Sequence, residues 1–304
     1  MNSVSASDEI LSLIDRLQPR ANSLIVTVFG DSITPRGGTI WLGALISLLE
    51  PMGLSSRLVR TGVYRLSQEG WFSAEHQGRR SYYTLTDDGR ERFTDAESQI
   101  YARGEPEWDG TWTLVHFLQG LDQEQRAALR RELGWLGFGQ LSRALMAYPA
   151  VPSVGFKAAL SRVNAQEDMV TFNASVEEFT SSKAMLSSVS DAWDLEALNE
   201  EYALFNDNFE RFSKEKLEIG TPIDAFCLRT LAIHDYRRIL LKSPRLPSVL
   251  MPKDWMGGLA RERVRQIYQD TREKADGFLV RTVRDGGDAL GTPESWYAKR
   301  FGGS

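Results

Sequence analysis

Cysteine is almost absent from this sequence: Cys227 stands alone among 304 residues. No intramolecular disulfide can form, which fits a reducing compartment. Histidine is nearly as scarce, with only His76, His116 and His234. One thiol and three scattered imidazoles do not make a zinc site of the usual spacing. Long apolar runs are missing too. No window supplies the roughly 18 apolar residues of a membrane span. The opening residues, MNSVSASDEI, have neither the basic start nor the apolar stretch of a secretory signal. A soluble, cytoplasmic protein is the expectation. The chain also lacks internal repeats and low-complexity tracts.

Positive charge is in short supply overall. Lysine and arginine number 36 against 41 acids, a net charge of −5, which by itself argues against a nucleic-acid binder. The distribution argues the other way. Between Leu54 and Thr86 lie Arg57, Arg60, Arg65, Arg79 and Arg80, opposed by Glu69 and Glu75; five arginines against two glutamates leave +3. Arginine is the residue suited to bidentate contact with guanine or phosphate. A hydrophobic content of 42% promises a packed core, and the length suits two or three domains.

Residues 1–20 are polar and read as an arm or a short lead-in helix. A helical run follows, with Leu24 and Val28, and Ile25 and Phe29, spaced at i, i+4. Ser32 to Gly38 (SITPRGG) reads as a loop. Thr39 is placed to cap a second helix, in which Trp41, Leu45 and Leu48 share a face. Ser55 or Ser56 caps a third, running to about Glu69. Its Val59, Val63 and Leu66 point one way; Ser56, Arg57, Arg60, Thr61, Tyr64 and Arg65 belong to the polar side. An aliphatic stripe backed by such a face is what a recognition helix requires, docking inward while its outer side enters the major groove. An ordinary helix with a solvated basic face is the competing reading. The next segment tips the balance. A strand starts at Gly70-Trp71-Phe72, Gln77 to Arg80 forms a turn, and SYYTLT (Ser81 to Thr86) alternates as a second strand. Thr86 then caps another helix, with Asp87 and Asp88 in its first turn. Three helices followed by a hairpin tipped with Arg79 and Arg80 is the order of a winged helix-turn-helix, and those arginines suit phosphate contact.

Beyond a linker at EPEWDG (Glu105 to Gly110), strand-like TWTLVHFL, an amphipathic Asp122 to Leu136, two short strands within Phe138 to Tyr148, a helix at Phe156 to Val163 and alternating Val170, Phe172, Ala174 and Val176 follow in the ferredoxin-like order. The remainder reads as helical, with one long helix marked by Leu195, Leu198, Tyr202, Phe205, Phe209 and Phe212. The expected fold class is multi-domain α+β: an arm over 1–20, a winged helix-turn-helix over 21–105, a ferredoxin-like α/β domain over 106–180, and a helical domain over 181–304 serving effector binding or dimerisation.

SSRLVRTGVYRLSQEGW (Ser55 to Trp71), GRRSYYTLTDDGRERF (Gly78 to Phe93), GFGQLSRALMAYP (Gly137 to Pro149) and HDYRRILLKSPRLPSVLMPKDWMGG (His234 to Gly258) together resemble the PaaX family of phenylacetic-acid catabolism repressors. Met256 departs from the proline usual after the family's tryptophan. The resemblance implies a homodimeric repressor on a palindromic DNA operator, released by an aryl-CoA thioester, with phenylacetyl-CoA the family's effector. No cofactor and no catalytic activity are implied. The cations and rings near His234 are the candidate effector site: His234, Arg237 and Arg238, with Lys242 and Arg245 beyond, and Tyr236, Phe226 and Trp255 as aromatic walls. The competing reading is a core histidine, arginines at a helix C-terminus and a packing tryptophan. Two further readings compete with effector control. The middle region resembles small CRISPR endoribonucleases, which place an aspartate near the first strand. Asp109 lies there, but no second acid at a telling spacing joins it to hold a metal. The aromatic helix Leu195 to Phe212 is the candidate dimer seam of an effector-free interaction protein.

Overall fold

The computed structural model describes residues 5–102, 108–150, 156, 167–177, 181–214, 219–242 and 246–303. Contacts divide the chain into two compact units: Met1–Arg103 with Tyr202–Leu241 and Gly257–Ser304, and Gly104–Glu201 with Lys242–Met256. The region expected as a separate helical domain over 181–304 is therefore shared out. Two of its long helices, α9 (Pro222–Leu240) and α10 (Gly257–Asp285), belong with the N-terminal elements.

The reason lies in α9. Residues on every side of it are buried, among them Phe226, Leu228, Arg229, Ile233, His234 and Tyr236. A helix without a solvent face needs neighbours all round. They are α10, the N-terminal α1 (Ala6–Leu17) and α2 (Ala21–Val28), and α5 (Asp87–Ile100). Of the two readings of residues 1–20, an arm or a short lead-in helix, α1 is the helix. Ser5 caps α1 by accepting from the Asp8 N–H, Ile10 and Leu13 are buried, and Ser7 donates to Asp224 in the first turn of α9 at 2.8 Å.

Two further expectations change. The loop expected at Ser32 to Gly38 begins as helix: α2 runs on into a π turn over Phe29–Ile33 and a 3-10 turn over Thr34–Arg36. The widened turn lets the neighbouring Asp31 and Ser32 both lie buried. Thr39 is not a helix cap. Thr39–Trp41 forms strand β1, and α3 (Leu42–Leu49) starts after it. A Cβ on Gly43 would lie 2.3 Å from the Trp41 ring, so the ring folds back over the first turn of α3. Helix α4 (Ser56–Gln68) follows, then β2 (Phe72–Gln77), β3 (Arg80–Leu85) and α5. The sheet order is β1-β3-β2, antiparallel, with Ile40 opposite Tyr83 and Ala74 opposite Tyr83 on its other side.

Under these elements lies a network of buried charge. Arg229 pairs with Asp31 at 3.0 Å and with Asp276 at 2.8 Å, and donates to Ser32 Oγ at 2.9 Å. Arg300 pairs with Asp31 at 3.2 Å and with Glu97 at 3.1 Å, and donates to the Asp31 and Gly30 carbonyls. Arg36 reaches Asp276 at 2.9 Å, and Tyr101 donates to Asp31 at 2.7 Å. Three arginines thus meet three acids, drawn from the α2 turn, α5, α9, α10 and the C-terminal segment.

The second unit carries β4 (Thr111–Phe117), α6 (Gln123–Trp135), β5 (Gly139–Ser142), β6 (Leu145–Tyr148), β7 (Met169–Ser175) and α7 (Ser182–Trp193), with the start of α8 (Leu195–Lys214). The antiparallel order β5-β6-β4-β7 is the one the ferredoxin-like expectation requires. The helix expected at Phe156 to Val163 lies outside the described residues apart from Phe156. Asp122 and Gln125 form a capping box on α6, which packs Leu129 and Leu133 on Val115, Phe117 and Met146. The alternating residues of β7 lie on its more open face. Phe172 pairs with Leu114 and shares its face, away from Val115 and α6; it is 49% exposed. Trp112, also on that face, packs near Trp193 of α7, their rings 6.3 Å apart. No described helix is long and apolar enough to cross a membrane.

Replacing Asp31 by asparagine keeps its shape but strips two buried guanidiniums of a shared counter-charge. A loss on the order of 3–5 kcal/mol in unfolding free energy is expected, readable by urea titration.

Candidate nucleic-acid interface

Helix α4 is positioned by its own sequence. Ser55 caps it by accepting from the Leu58 N–H, and Val59, Val63 and Leu66 are buried. Gly62 permits close approach to α2: a Cβ there would stand 2.6 Å from Ile25 Cδ1 and 3.0 Å from Asn22 Oδ1. The opposite face is open. Ser56, Arg57, Arg60, Thr61, Tyr64 and Arg65 are all exposed, Tyr64 by 64%. Arg60 Nε donates to Ser56 Oγ at 3.3 Å, which steers its side chain back along the helix. Arg57 and Arg65 have no ion pair among the described residues. Leu58, which sequence periodicity did not single out, joins this face at 51% exposure.

The hairpin arginines part company. Gly78 takes φ of +61° in the turn, a conformation glycine adopts freely, and Arg79 beside it is exposed at the tip. Arg80 is drawn inward. Its guanidinium lies 4.5 Å from the Trp41 ring centroid and donates to the Gly287 carbonyl at 3.1 Å, just past the end of α10. A cation on an aromatic face and at a helix C-terminus is doubly stabilised. The expected pair of tip arginines is thus one tip residue, Arg79, and one brace, Arg80. His76 and Ser81, bonded across the hairpin at 3.1 Å, are polar neighbours that sequence reasoning passed over.

The residues expected around an effector do not share a wall. His234, 5% exposed, meets Thr27 Oγ1 of α2 through Nδ1 at 3.1 Å. Arg237 donates to Thr27 Oγ1 at 3.0 Å and to the Ser23 carbonyl at 3.2 Å, tying α9 to α2. Tyr236 lies two residues from His234, about 200° away around a helix. It packs on Phe205 and Tyr202 of α8, with ring centroids 5.8 and 6.3 Å away. Arg238 pairs with Asp235 at 3.1 Å, and Phe226 is fully buried against Phe278. Trp255, half-buried, and Lys242, paired with Glu201 at 2.9 Å, belong to the second unit. Arg245 lies outside the described residues. The candidate dimer seam is occupied as well: Leu195, Leu198, Tyr202, Phe205, Phe209 and Phe212 are all buried within the chain itself.

Burial, aided by the charges of Arg237 and Arg238, pushes His234 down from 6.5 to about 3. It is neutral in the folded protein and protonates readily only when unfolded. A depressed folded value means stability is complete above the unfolded value and falls as pH drops from about 6.5 toward 3. Near pH 5 the loss from this group is about 2 kcal/mol. In His234→Gln, chemical denaturation at pH 7 and pH 5 should show that part of the slope removed.

Sequence comparison finds matches along nearly the whole chain. Family models match in three segments: PaaX-like protein over residues 20–89, the PaaX protein central Cas2-like domain over 105–186, and the PaaX-like protein C-terminal domain over 193–281. The chain is 38% identical over 284 residues to the transcriptional repressor PaaX of Escherichia coli (strain K12), covering 92% of this chain and 90% of that protein. Among solved structures, the uncharacterized protein Rv0674 from Mycobacterium tuberculosis superposes with a TM-score of 0.54 at 20% identity, covering 90% of this chain and 99% of that one; the likeness is one of fold. With three family segments in order and that identity across nine-tenths of its length, the chain belongs to the PaaX family.

Proposed function

We propose that this protein is a DNA-binding transcriptional repressor of a phenylacetate-type catabolic operon, acting as a homodimer and released from its operator by an aryl-CoA thioester such as phenylacetyl-CoA. The observation that carries the DNA-binding part is the outer face of α4: arginines, a threonine and a tyrosine exposed on a helix whose inner stripe is buried. The three-stranded β1-β3-β2 sheet beside it supports a winged helix-turn-helix, with α4 as recognition helix and Arg79 on the wing at the phosphates. Repression rests on the identity to the Escherichia coli repressor, and the operon class on the family resemblance. Aryl-CoA release and the dimer rest on the family resemblance.

The alternative of a nuclease in the second unit would turn on Asp109. The Asp109 carboxylate accepts from the Thr111 N–H at 2.8 Å, a turn bond that holds it at the start of β4 and lowers its proton affinity. Among the described residues no three His, Cys, Asp or Glu side chains gather to hold a metal.

Anisotropy titration of the protein on DNA from its own promoter tests the reading. Each lost arginine–guanine contact costs about 1–3 kcal/mol, so Arg57→Ala with Arg60→Ala should weaken binding at least tenfold. Arg79→Ala should lower affinity evenly across sequences and reduce the salt slope by about one. Arg80→Ala should act on hairpin stability first. Unchanged affinity in the Arg57/Arg60 double variant would sink the recognition-helix assignment. Failure of phenylacetyl-CoA to displace the DNA would remove the effector.

A further inference from the structure

The first unit holds a surface cavity of about 660 Å³ between α5 and the C-terminal segment around Trp296. Its size is that of a small-molecule site. Phe93 and Tyr101, both buried, and the half-buried Trp296 supply aromatic walls; Arg90 and Lys299 stand exposed at the rim without an ion pair among the described residues. Glu97, which also lines it, is already engaged by Arg300, while Glu294 lies at the rim. Rings below and free cations above suit a ligand with a flat apolar end and an anionic tail.

The walls lead straight to the elements that hold the recognition helix. Phe93 packs so closely on Gly30, in the turn ending α2, that a Cβ there would fall 2.6 Å from its ring. On another side it meets Trp71, at the root of the β2–β3 hairpin, edge to face at 5.6 Å. Trp296 lies under the Arg300 guanidinium, 5.1 Å from ring centroid to carbon, and Arg300 grips the carbonyls of Gly30 and Asp31. A molecule seated against Phe93 and Trp296 therefore bears on both α2 and the hairpin.

We infer that this cavity, rather than the His234 cluster, is the regulatory site, taking the aromatic ring of an anionic ligand against Phe93 and Trp296 and its charged tail at Arg90 and Lys299. The inference rests on the effector reading above, and the test separates the two. Calorimetry on the full chain uses phenylacetyl-CoA, phenylacetate and CoA as separate titrants. Two variants alter only exposed lining positions: Arg90→Ala with Lys299→Ala, and Thr94→Trp to fill the cavity. Both are checked by thermal melting and by operator binding without ligand, which should stay within twofold of the parent protein. Phenylacetyl-CoA binding should weaken at least tenfold in each, and ligand-dependent release of DNA should weaken in parallel. Trp296→Phe should remove most of the ligand-induced change in tryptophan fluorescence. If the parent binds phenylacetyl-CoA and both variants bind it equally well, the cavity assignment is wrong while effector control stands. If the parent binds DNA but none of the three titrants, effector control falls and the cavity assignment with it. Binding of phenylacetate alone, lost in Thr94→Trp, supports the ring position; binding of CoA alone, indifferent to Thr94→Trp, overturns it.

Discussion

Asp31 is the point on which the first unit depends. Its carboxylate takes two guanidiniums, from Arg229 and Arg300, and a phenol from Tyr101, all in a place closed to water. Ions removed from water are tolerable only when their charges and hydrogen bonds are met. Here the balance needs residues from opposite ends of the chain. Asp31 and Arg36 come from the turn after α2, Glu97 from α5, Arg229 from α9, Asp276 from α10 and Arg300 from the C-terminal segment. Each acid is met by at least one guanidinium from a different element. The N-terminal helices and the C-terminal helices must therefore form one body. Apolar packing alone is less exacting, because it tolerates shifts in register that a shared guanidinium does not.

That constraint reaches the outward face of α4. The network fixes the end of α2; Ile25 of α2 receives α4 at Gly62; and the arginine face of α4 is turned outward as a result. The hairpin is braced separately. Arg80 lies on Trp41, whose ring approaches within 3.0 Å of where a Cβ on Gly286 would be, and donates to Gly287. A helix near the C-terminus thus sets the posture of a hairpin near the N-terminus. Adjacent arginines, identical in sequence terms, have opposite duties because strand β3 starts at Arg80 and points it inward, while Arg79 stays in the turn.

The segment from His234 to Arg238 shows how chemistry that looks like a ligand site can serve packing. On α9, His234 and Arg237 face α2 while Tyr236 faces α8. Hydroxyls and carbonyls of α2 satisfy the first two, and aromatic rings surround the third. A helix buried on all sides must spend its polar residues on its neighbours. The cavity beside Phe93 and Trp296 has the opposite character: its cations are exposed, and its rings are backed by the core yet open outward.

Local pattern determined a good deal by itself. The cap at Ser55 and the Val59, Val63, Leu66 stripe define α4 and its outer face, because helix periodicity needs only neighbours along the chain. The Thr86 cap, the hairpin and the strand order of the second unit were legible for the same reason. Boundaries and partners were not. Thr39 reads as a cap, yet pairing with Thr84 makes it strand. Val170 and Phe172 alternate as a strand does, but the face they join is set by the register with β4. Residues 1–20 read as either an arm or a lead-in helix, because the surface that α1 covers belongs to α9, about two hundred residues away. The charge network, the division of Arg79 from Arg80 and the cavity walls all join residues far apart in sequence. Only tertiary structure decides such matters, since burial and electrostatic balance belong to places in space and not to positions along a chain.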